Sequence, residues 1–431
     1  MEIIVIGGGL AGVEAAYQIA QKGIPVVLYE MRPELSTPAH KTEFLSELVC
    51  SNSLKSKELS NAHGLLKEEL RMLDSIIIRV ADSTSIPGGK ALVVDRNRFS
   101  EAVTKEIESH ALIHIVRREI SKIPSGVTII ATGPLTSDAL SQQIKGIAGS
   151  DNLSFFDAIS PIVDGETIDM KKCFFGSRYA ADADDYLNCP LTEEEYNVFY
   201  DALIKAERVN LKEFEKVPYF EGCLPIEVMA ERGKQTLLFG PMKPVGIFDS
   251  HTGRRPFAVM QLRREDSAGK MYNIVGFQTK LTYTAQNSVL RLVPALKNAS
   301  FFRYGSIHRN TYINSPSLIN KSLQLKDNDN IFFAGQITGV EGYVESTAIG
   351  LLSGMAASLF CNDKPFAPPP AETCTGALLH YITTPVKNFQ PMNINFGLIK
   401  NYNKREKDRV IAKALSSIAE WKKSVDDQIG S

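Results

Sequence analysis

A chain of 431 residues, 44% hydrophobic and with a formal net charge of −1, can bury a large core but sets up no molecule-wide field for an anionic partner, so any nucleic-acid contact must come from a local basic patch. No apolar run approaches the roughly 18 residues of a membrane span, and Met1-Glu2 lead straight into a strand with no basic leader or cleavage site, which predicts a soluble, cytoplasmic protein without a membrane partner. The six cysteines (Cys50, Cys173, Cys189, Cys223, Cys361, Cys374) contain no CxxC pair, which argues against a disulfide framework, a metal site and a dithiol redox centre.

At the N-terminus, Glu2–Ile6 is a β-branched run stopped by three glycines. A helical pattern follows from Leu10 to Lys22, ended by Gly23, and Pro25–Tyr29 reads as a second strand finishing at Glu30. Strand, helix and strand within about 30 residues require parallel pairing with a right-handed crossover. Gly7-Gly8-Gly9-Leu10-Ala11-Gly12 satisfies G-x-G-x-x-G. In that spacing the first glycine makes the tight turn, Gly9 lets backbone approach a pyrophosphate, and Gly12 lets helix and strand pack closely, with the helix N-terminus aimed at the phosphates. Glu30 stands where an acid accepts hydrogen bonds from a ribose. The hexapeptide alone is a weak signal, equally readable as a ligand-free turn. Its register with strand, helix and acidic terminus makes it specific.

Cys50, in Glu47-Leu48-Val49-Cys50-Ser51-Asn52, sits where an apolar stretch gives way to Ser and Asn. Another strand, Val127–Ile130, runs into Ala131-Thr132-Gly133. The region from about Phe155 to Arg309 changes character, with a Glu/Tyr-rich helical stretch near 192–216 and strand-like runs at Thr236–Phe239, Ala258–Leu262 and Tyr272–Phe277. Cys223, in Phe220-Glu221-Gly222-Cys223-Leu224-Pro225, is a second cysteine in a turn context, where a side chain is presented instead of packed; the other four are left as structural or surface residues. From Lys205 to Arg309 there are 17 Lys/Arg against 9 Asp/Glu. The excess concentrates at Arg254-Arg255, Arg263-Arg264 and around Arg303, His308 and Arg309, interleaved with aromatics, a pattern that reads as an RNA-binding patch or as an ordinary solvated face. Ile331–Ala334 then runs into Gly335-Gln336, followed by an apolar helix from Glu345 to Phe360, a stiff linker at Pro365–Pro370 and a tail helix from Lys404 to Gln428. The strand ends at Thr132-Gly133 and Gly335-Gln336 look like elements of the two-dinucleotide-fold flavoproteins and favour FAD over NAD. With no second G-x-G-x-x-G, a dedicated nicotinamide domain is not expected. The expected fold is α/β: a discontinuous Rossmann-like, glutathione-reductase-like FAD-binding domain from residues 1–154 and 310–431, including a tail at 366–431, with an α+β domain inserted at 155–309.

Together these segments resemble the folate- and FAD-dependent tRNA uracil-5-methyltransferases, the TrmFO family, over essentially the whole chain. The resemblance rests on IIVIGGGLAGVEAA, YEMRP, ELVCSNSLKS, ALVVDRNRFS, EGCLPIEVMAERG, HTGRRPFAVMQLR, RYGSIHRNTYINSP and FFAGQITGVEGYVESTAIG. It implies methylation of C5 of a T-loop uridine in tRNA, with 5,10-methylenetetrahydrofolate as carbon donor and reduced FAD as reductant, NAD(P)H recharging the flavin transiently. Arg32 of YEMRP joins the cofactor-binding set. Uracil C5 is a poor nucleophile until a group adds at C6, and a thiolate suits that task. Cys223 is assigned as this nucleophile and Cys50 as the base for the C5 proton or its partner, with the reverse order left open. His308 is the candidate to stack on the pterin, and Arg254 and Arg255 to contact RNA phosphate or the folate tail. The residues do not choose between tRNA and ribosomal RNA, and they leave open a flavin oxidoreductase with a small substrate or a non-catalytic flavin- or folate-responsive RNA-binding protein.

Overall fold

A computed structural model describes residues 2–37, 39–148, 153–179, 183–209, 224–387 and 389–430. Within them the first third comprises β1 (Ile3–Ile6), α1 (Leu10–Gln21), β2 (Val26–Glu30), β3 (Ser53–Ser56), α2 (Ala62–Met72), α3 (Ile76–Ser83), β4 (Ser85–Ile86), β5 (Ala91–Val94), α4 (Arg96–Glu108), β6 (Ile113–Arg117), β7 (Thr128–Ile130) and α5 (Asp138–Ala148). The middle holds β8 (Leu153–Ile159), β9 (Ile162–Asp164), β10 (Phe174–Phe175), β11 (Leu187–Leu191), α6 (Glu193–Lys205), α7 (Ile226–Glu231), α8 (Thr236–Phe239), β12 (Ala258–Arg264), β13 (Met271–Ile274), α9 (Tyr283–Leu290), β14 (Phe301–Arg303) and β15 (Ser306–Tyr312). The chain ends with α10 (Ser315–Leu318), β16 (Gln324–Leu325), β17 (Asn328–Phe333), α11 (Tyr343–Cys361), α12 (Cys374–Thr383) and α13 (Lys407–Gly430).

The first sheet runs β16-β17-β7-β1-β2-β6 and is parallel except for β16. Its central strands, Ile-Ile-Val-Ile and Thr-Ile-Ile, are almost wholly buried, as expected of a parallel sheet covered on both faces. β17 joins beside β7 from a distance of some 200 residues in sequence, so the sheet is assembled from both ends of the chain, making this an α/β fold. A second sheet, β10-β11-β12-β13-β9-β14, has a separate core that includes Leu187, Phe199, Met260, Leu262 and Ile274. An antiparallel ribbon of β8 and β15 carries the chain out to this second sheet and back.

Two sequence-level readings change. Thr236–Phe239 is a helical turn, because Thr236 N–H bonds back to Gly233 and Leu238 N–H to Gln235; a four-residue apolar run has no period that separates strand from helix. The strand expected to reach Phe277 stops at Ile274, ahead of Gly276 at φ +75°. The Glu/Tyr-rich helix ends at Lys205, and residues 210–216 lie outside the described residues.

α11 has 19 residues and is long and apolar enough to cross a membrane, contrary to the expectation that no run approaches that length. It is instead a helix of the core around the first sheet, buried along nearly its whole length. It lies directly on α1. A Cβ at Gly350 would stand 2.3 Å from Ala11 O, and one at Gly354 2.6 Å from Ala15 O. These two glycines, one turn apart, face two alanines at the same spacing, and only their lack of side chains permits the approach. At the far end, α13 is held by the sole tryptophan, Trp421, whose ring packs edge-on to Phe366 and whose Nε1–H donates to Ala367 O at 2.8 Å. The proline-rich linker is thereby pinned to the tail helix.

Gly350→Val would drive two methyl groups into the backbone of α1. Overpacking of this kind costs about 2 kcal/mol, so its urea midpoint should fall clearly below that of wild type, whereas an equivalent change at Gly146, where a Cβ meets nothing within 4 Å, should shift it little.

Candidate functional site

The turn from β1 into α1 builds one wall of a cleft. Gly7 has φ +108°, and a Cβ there would lie 2.6 Å from Ala131 O; a Cβ at Gly12 would lie 1.9 Å from Gly7 O. These two glycines are therefore demanded by the protein's own packing. Gly9 differs: a Cβ there meets nothing within 4 Å, and as N-cap of α1 it offers no side-chain hydrogen bond. The first-turn N–H groups of α1 are thus left for an anion. The turn is braced from β2. Glu30 Oε2 accepts from Gly8 N–H at 2.9 Å, and its Oε1 accepts from Arg32 N–H at 3.0 Å and Arg32 Nε–H at 2.9 Å. Arg32 is buried between Glu30 and Glu47, with Nη1 3.1 Å from the latter. Burial opposes ionisation of Glu30, but the Arg32 guanidinium outweighs it and holds the carboxyl below its usual range.

The cleft beside this turn measures about 1000 Å³, counting the solvent open at its mouth. Gly7, Gly8, Gly9, Leu10, Ala11, Glu30, Arg32, Thr132, Gly133 and Gln336 all line it. Gly12 and Gly335 do not; Gly335, at φ +78°, would press a Cβ to 2.6 Å from that of Ala11 and serves packing. His40 adds to the lining, its pKa pushed down to about 4 by burial and then by Arg32, so the ring is neutral at pH 7. A cleft of this size with an uncapped helix N-terminus and an unfilled Cβ position at Gly9 fits a dinucleotide cofactor.

Cys50 lines a second cleft, of about 1210 Å³, that shares Val49, Pro134, Leu135, Gln336 and Tyr343 with the first. Its backbone is clamped from three directions. The Tyr343 hydroxyl, at the start of α11, accepts from Cys50 N–H at 2.8 Å and Ser51 N–H at 3.3 Å. Arg303 donates to Val49 O at 3.0 Å and Cys50 O at 3.2 Å. Arg96 donates to Leu48 O and to Cys50 O, and pairs with the buried Glu265. Burial pushes the Tyr343 pKa well up, so it keeps its proton. Next along the chain, Arg263 donates to Ser51 Oγ at 2.6 Å and Asn52 Oδ1 at 3.1 Å. Two arginines of the expected basic patch, Arg263 and Arg303, therefore point inward and hold the Cys50 segment. The sequence signal for this was weak: Arg96 lies in ALVVDRNRFS, but nothing in a linear reading pairs it with residue 50.

The same cleft carries charges that sequence reasoning missed. Glu345, fully buried in the first turn of α11, lies 3.5 Å from Lys55 Nζ and 3.2 Å from His63 Nδ1, and accepts from Ile394 N–H at 3.1 Å. Burial opposes its ionisation, yet Lys55 and His63 bring its pKa down to about 2. Behind it, buried Lys67 donates to Leu54 O and His63 O, both at 2.8 Å, and desolvation lowers its pKa to about 7.

Of the remaining candidates, Arg254 and Arg255 are exposed and line neither cleft. His308 is on β15, opposite Asp157 of β8, and its side chain lies outside the described residues. Cys223 also lies outside them. The first residues after it are described: Ile226 N–H donates to Gln278 O at 2.7 Å, and Gln278 lines the Cys50 cleft. Cys173, Cys189 and Cys374 are buried in the two cores.

Residues 2–365 match the protein family described as Glucose inhibited division protein A. The chain is 54% identical to "Methylenetetrahydrofolate--tRNA-(uracil-5-)-methyltransferase TrmFO" of Anoxybacillus flavithermus, over 99% of this chain and 100% of that one. It is 55% identical to the protein of the same name from Syntrophus aciditrophicus, over 97% of each. Among solved structures, GidA of Aquifex aeolicus superposes with a TM-score of 0.70 at 16% identity, covering 99% of this chain and 74% of that one; this likeness concerns the fold.

Two outcomes follow from the geometry. Gly9→Val should melt like wild type in the absence of dinucleotide but fail to retain it on gel filtration, whereas Gly12→Val should lose both thermal stability and retention. Lys67 has a folded-state pKa below its unfolded value, so between about pH 7 and 10.5 the unfolded chain binds the extra proton and this residue's contribution to stability rises with pH. The stability difference between wild type and Lys67→Met, from urea titrations, should move in favour of wild type as pH goes from 7 to 10.

Proposed function

Because this chain belongs to the TrmFO family, within the wider family described as Glucose inhibited division protein A, we propose that it methylates C5 of a uridine in tRNA. The one-carbon unit would come from 5,10-methylenetetrahydrofolate, the residues lining the cleft beside the glycine turn would hold FAD, and NAD(P)H would supply the electrons that keep it reduced. The observation that carries the reading is the placement of Cys50: its backbone is clamped at the junction of a dinucleotide-type cleft and a second, ligand-sized cleft. Bound FAD supplies the electrons that turn the transferred methylene into a methyl group.

The chain's residues perform the rest. The Cys223 sulfur adds to C6 of the uracil, placing enolate character on C5 so that C5 can bond to the one-carbon unit. Cys50, held against movement by Tyr343, Arg96 and Arg303, removes the C5 proton directly or through a partner as the bond between the one-carbon unit and its carrier nitrogen breaks and the nitrogen keeps the electron pair. The Cys223 sulfur then leaves as the C5–C6 double bond re-forms. Attachment of the segment after Cys223 to Gln278, at the rim of the Cys50 cleft, supports bringing the two sulfurs together. The target base must leave its stack to reach them. His308 stacks on the pterin in this reading, and Arg254 and Arg255 contact RNA. Residues 1–154 with 310–431 form the FAD-binding part and 155–309 the insertion, a division supported by the ribbon of β8 and β15 at both crossings.

The test is transfer of label from methylenetetrahydrofolate to an unmodified tRNA transcript, with ribosomal RNA in parallel. Labelled tRNA is expected; flavin-dependent nicotinamide turnover without labelled RNA would overturn the proposal. RNA carrying 5-fluorouracil should form a covalent adduct that Cys223→Ala abolishes. Cys50→Ala should keep the adduct but lower transfer by about 100-fold or more, the scale of a general base. The opposite pattern would exchange the two roles.

A further inference from the structure

The second sheet has two edges. β14 forms one, and its Arg303 clamps Cys50. β10 forms the other, five strand spacings away, or about 24 Å at ~4.8 Å each. Just past β10 the chain turns at Tyr179, whose N–H donates to Gly246 O at 2.8 Å. The Tyr179 ring lies against Gly246 so closely that a Cβ there would come within 2.8 Å of the ring. Between Tyr179 and Phe248 is a slot of about 540 Å³, also lined by Phe174 and Ile247. The two aromatic side chains are left in water, Tyr179 80% and Phe248 61% exposed. Neither is part of a hydrophobic core.

Phe248 opens a turn closed by Asp249 N–H on Arg254 O at 2.9 Å and Gly253 N–H on Asp249 O at 2.8 Å. The first of these bonds brings the backbone of Arg254, with Arg255 following it, against Asp249, the residue next to Phe248. Both are exposed, and among the described residues neither forms an ion pair. The nearest acid in sequence, Asp249, is nearly buried and its Oδ1 accepts from His251 N–H at 2.8 Å. Two exposed rings, with an unneutralised pair of arginines on the turn that begins at one of them, suit a planar base attached to phosphate. Stacking on aromatic faces is tolerant of base identity, and arginine supplies the phosphate contact.

We infer that the slot between Tyr179 and Phe248 receives an unstacked base of the RNA substrate, with Arg254 and Arg255 on the neighbouring phosphates. It is a second RNA contact, set well away from the uridine that reacts. The inference rests on the RNA reading above and deepens it.

The experiment uses the full-length, FAD-loaded protein and an unmodified tRNA transcript. Tyr179→Ala and Phe248→Ala should each raise the Kd and KM for tRNA about 5- to 100-fold, with kcat and flavin content unchanged. Tyr179→Phe keeps the ring and should bind like wild type; Phe248→Leu keeps apolar bulk without the π face and should behave as Phe248→Ala. Arg254→Ala and Arg255→Ala should each reduce the slope of log Kd against log salt by about one, while the aromatic variants leave the slope alone. Wild-type Kd in Tyr179→Ala, Phe248→Ala and Phe248→Leu, at normal flavin content, would overturn the slot. Failure of wild type itself to transfer label would instead count against the methyl-transfer reading, and the Kd series would still decide the slot.

Discussion

The closeness of α1 to α11 is the constraint on which both clefts depend. Gly350 and Gly354 bring α11 against Ala11 and Ala15, and that contact joins the helix that follows β1 to the buried helix that follows β17. One consequence lies at the N-terminus of α1, where the glycine turn and Glu30 define the dinucleotide cleft. The other lies at the N-terminus of α11, where Tyr343 reaches the backbone of Cys50 and Glu345 anchors Lys55 and His63. A wider helix separation would misplace both, since helix axes are set by the side chains at the contact.

The Cys50 segment is an irregular stretch between β2 and β3, and irregular backbone that must be accurate needs outside partners for its N–H and C=O groups. Here the partners come from three distant places: α11 through Tyr343, α4 through Arg96, and the second sheet through Arg303, while Arg263 holds the side chains of Ser51 and Asn52. Arginine suits this task because its planar fork can hold two acceptors at fixed geometry. The buried carboxylate of Glu265 balances the Arg96 charge. The second sheet is thus tied to the first part of the chain at the Cys50 segment, and its two edges do different work. The β14 edge grips the cysteine segment, and the β10 edge presents aromatic rings to solvent.

Composition was misleading in one respect. The excess of Lys and Arg between residues 205 and 309 reads as a surface for RNA or as a solvated face, yet Arg263 and Arg303 turn inward to hold the Cys50 segment, and only part of the excess, including Arg254 and Arg255, stays in water. Charge counted along the chain cannot tell a buried clamp from a solvated face, because that distinction depends on which strands become neighbours.

The residues themselves determined the strand–turn–helix–strand unit and the glycine spacing, because those depend on local sterics and a period of a few residues. β1, α1 and β2 appear within a residue of their expected limits, and the strands leading into Thr132 and Gly335 also fall close to theirs. The long motifs were sufficient to place the chain in its family. Thr236–Phe239 was misassigned because four apolar residues carry no periodicity of their own. Only the tertiary structure decided that Tyr343, Arg96 and Arg303 meet at residue 50, that Glu345 and Lys67 titrate far from their usual ranges, and that Tyr179 stands beside Phe248. Each of those facts joins residues separated by tens to hundreds of positions, and the physical link between them is burial and close contact, which exist only once the sheets have assembled.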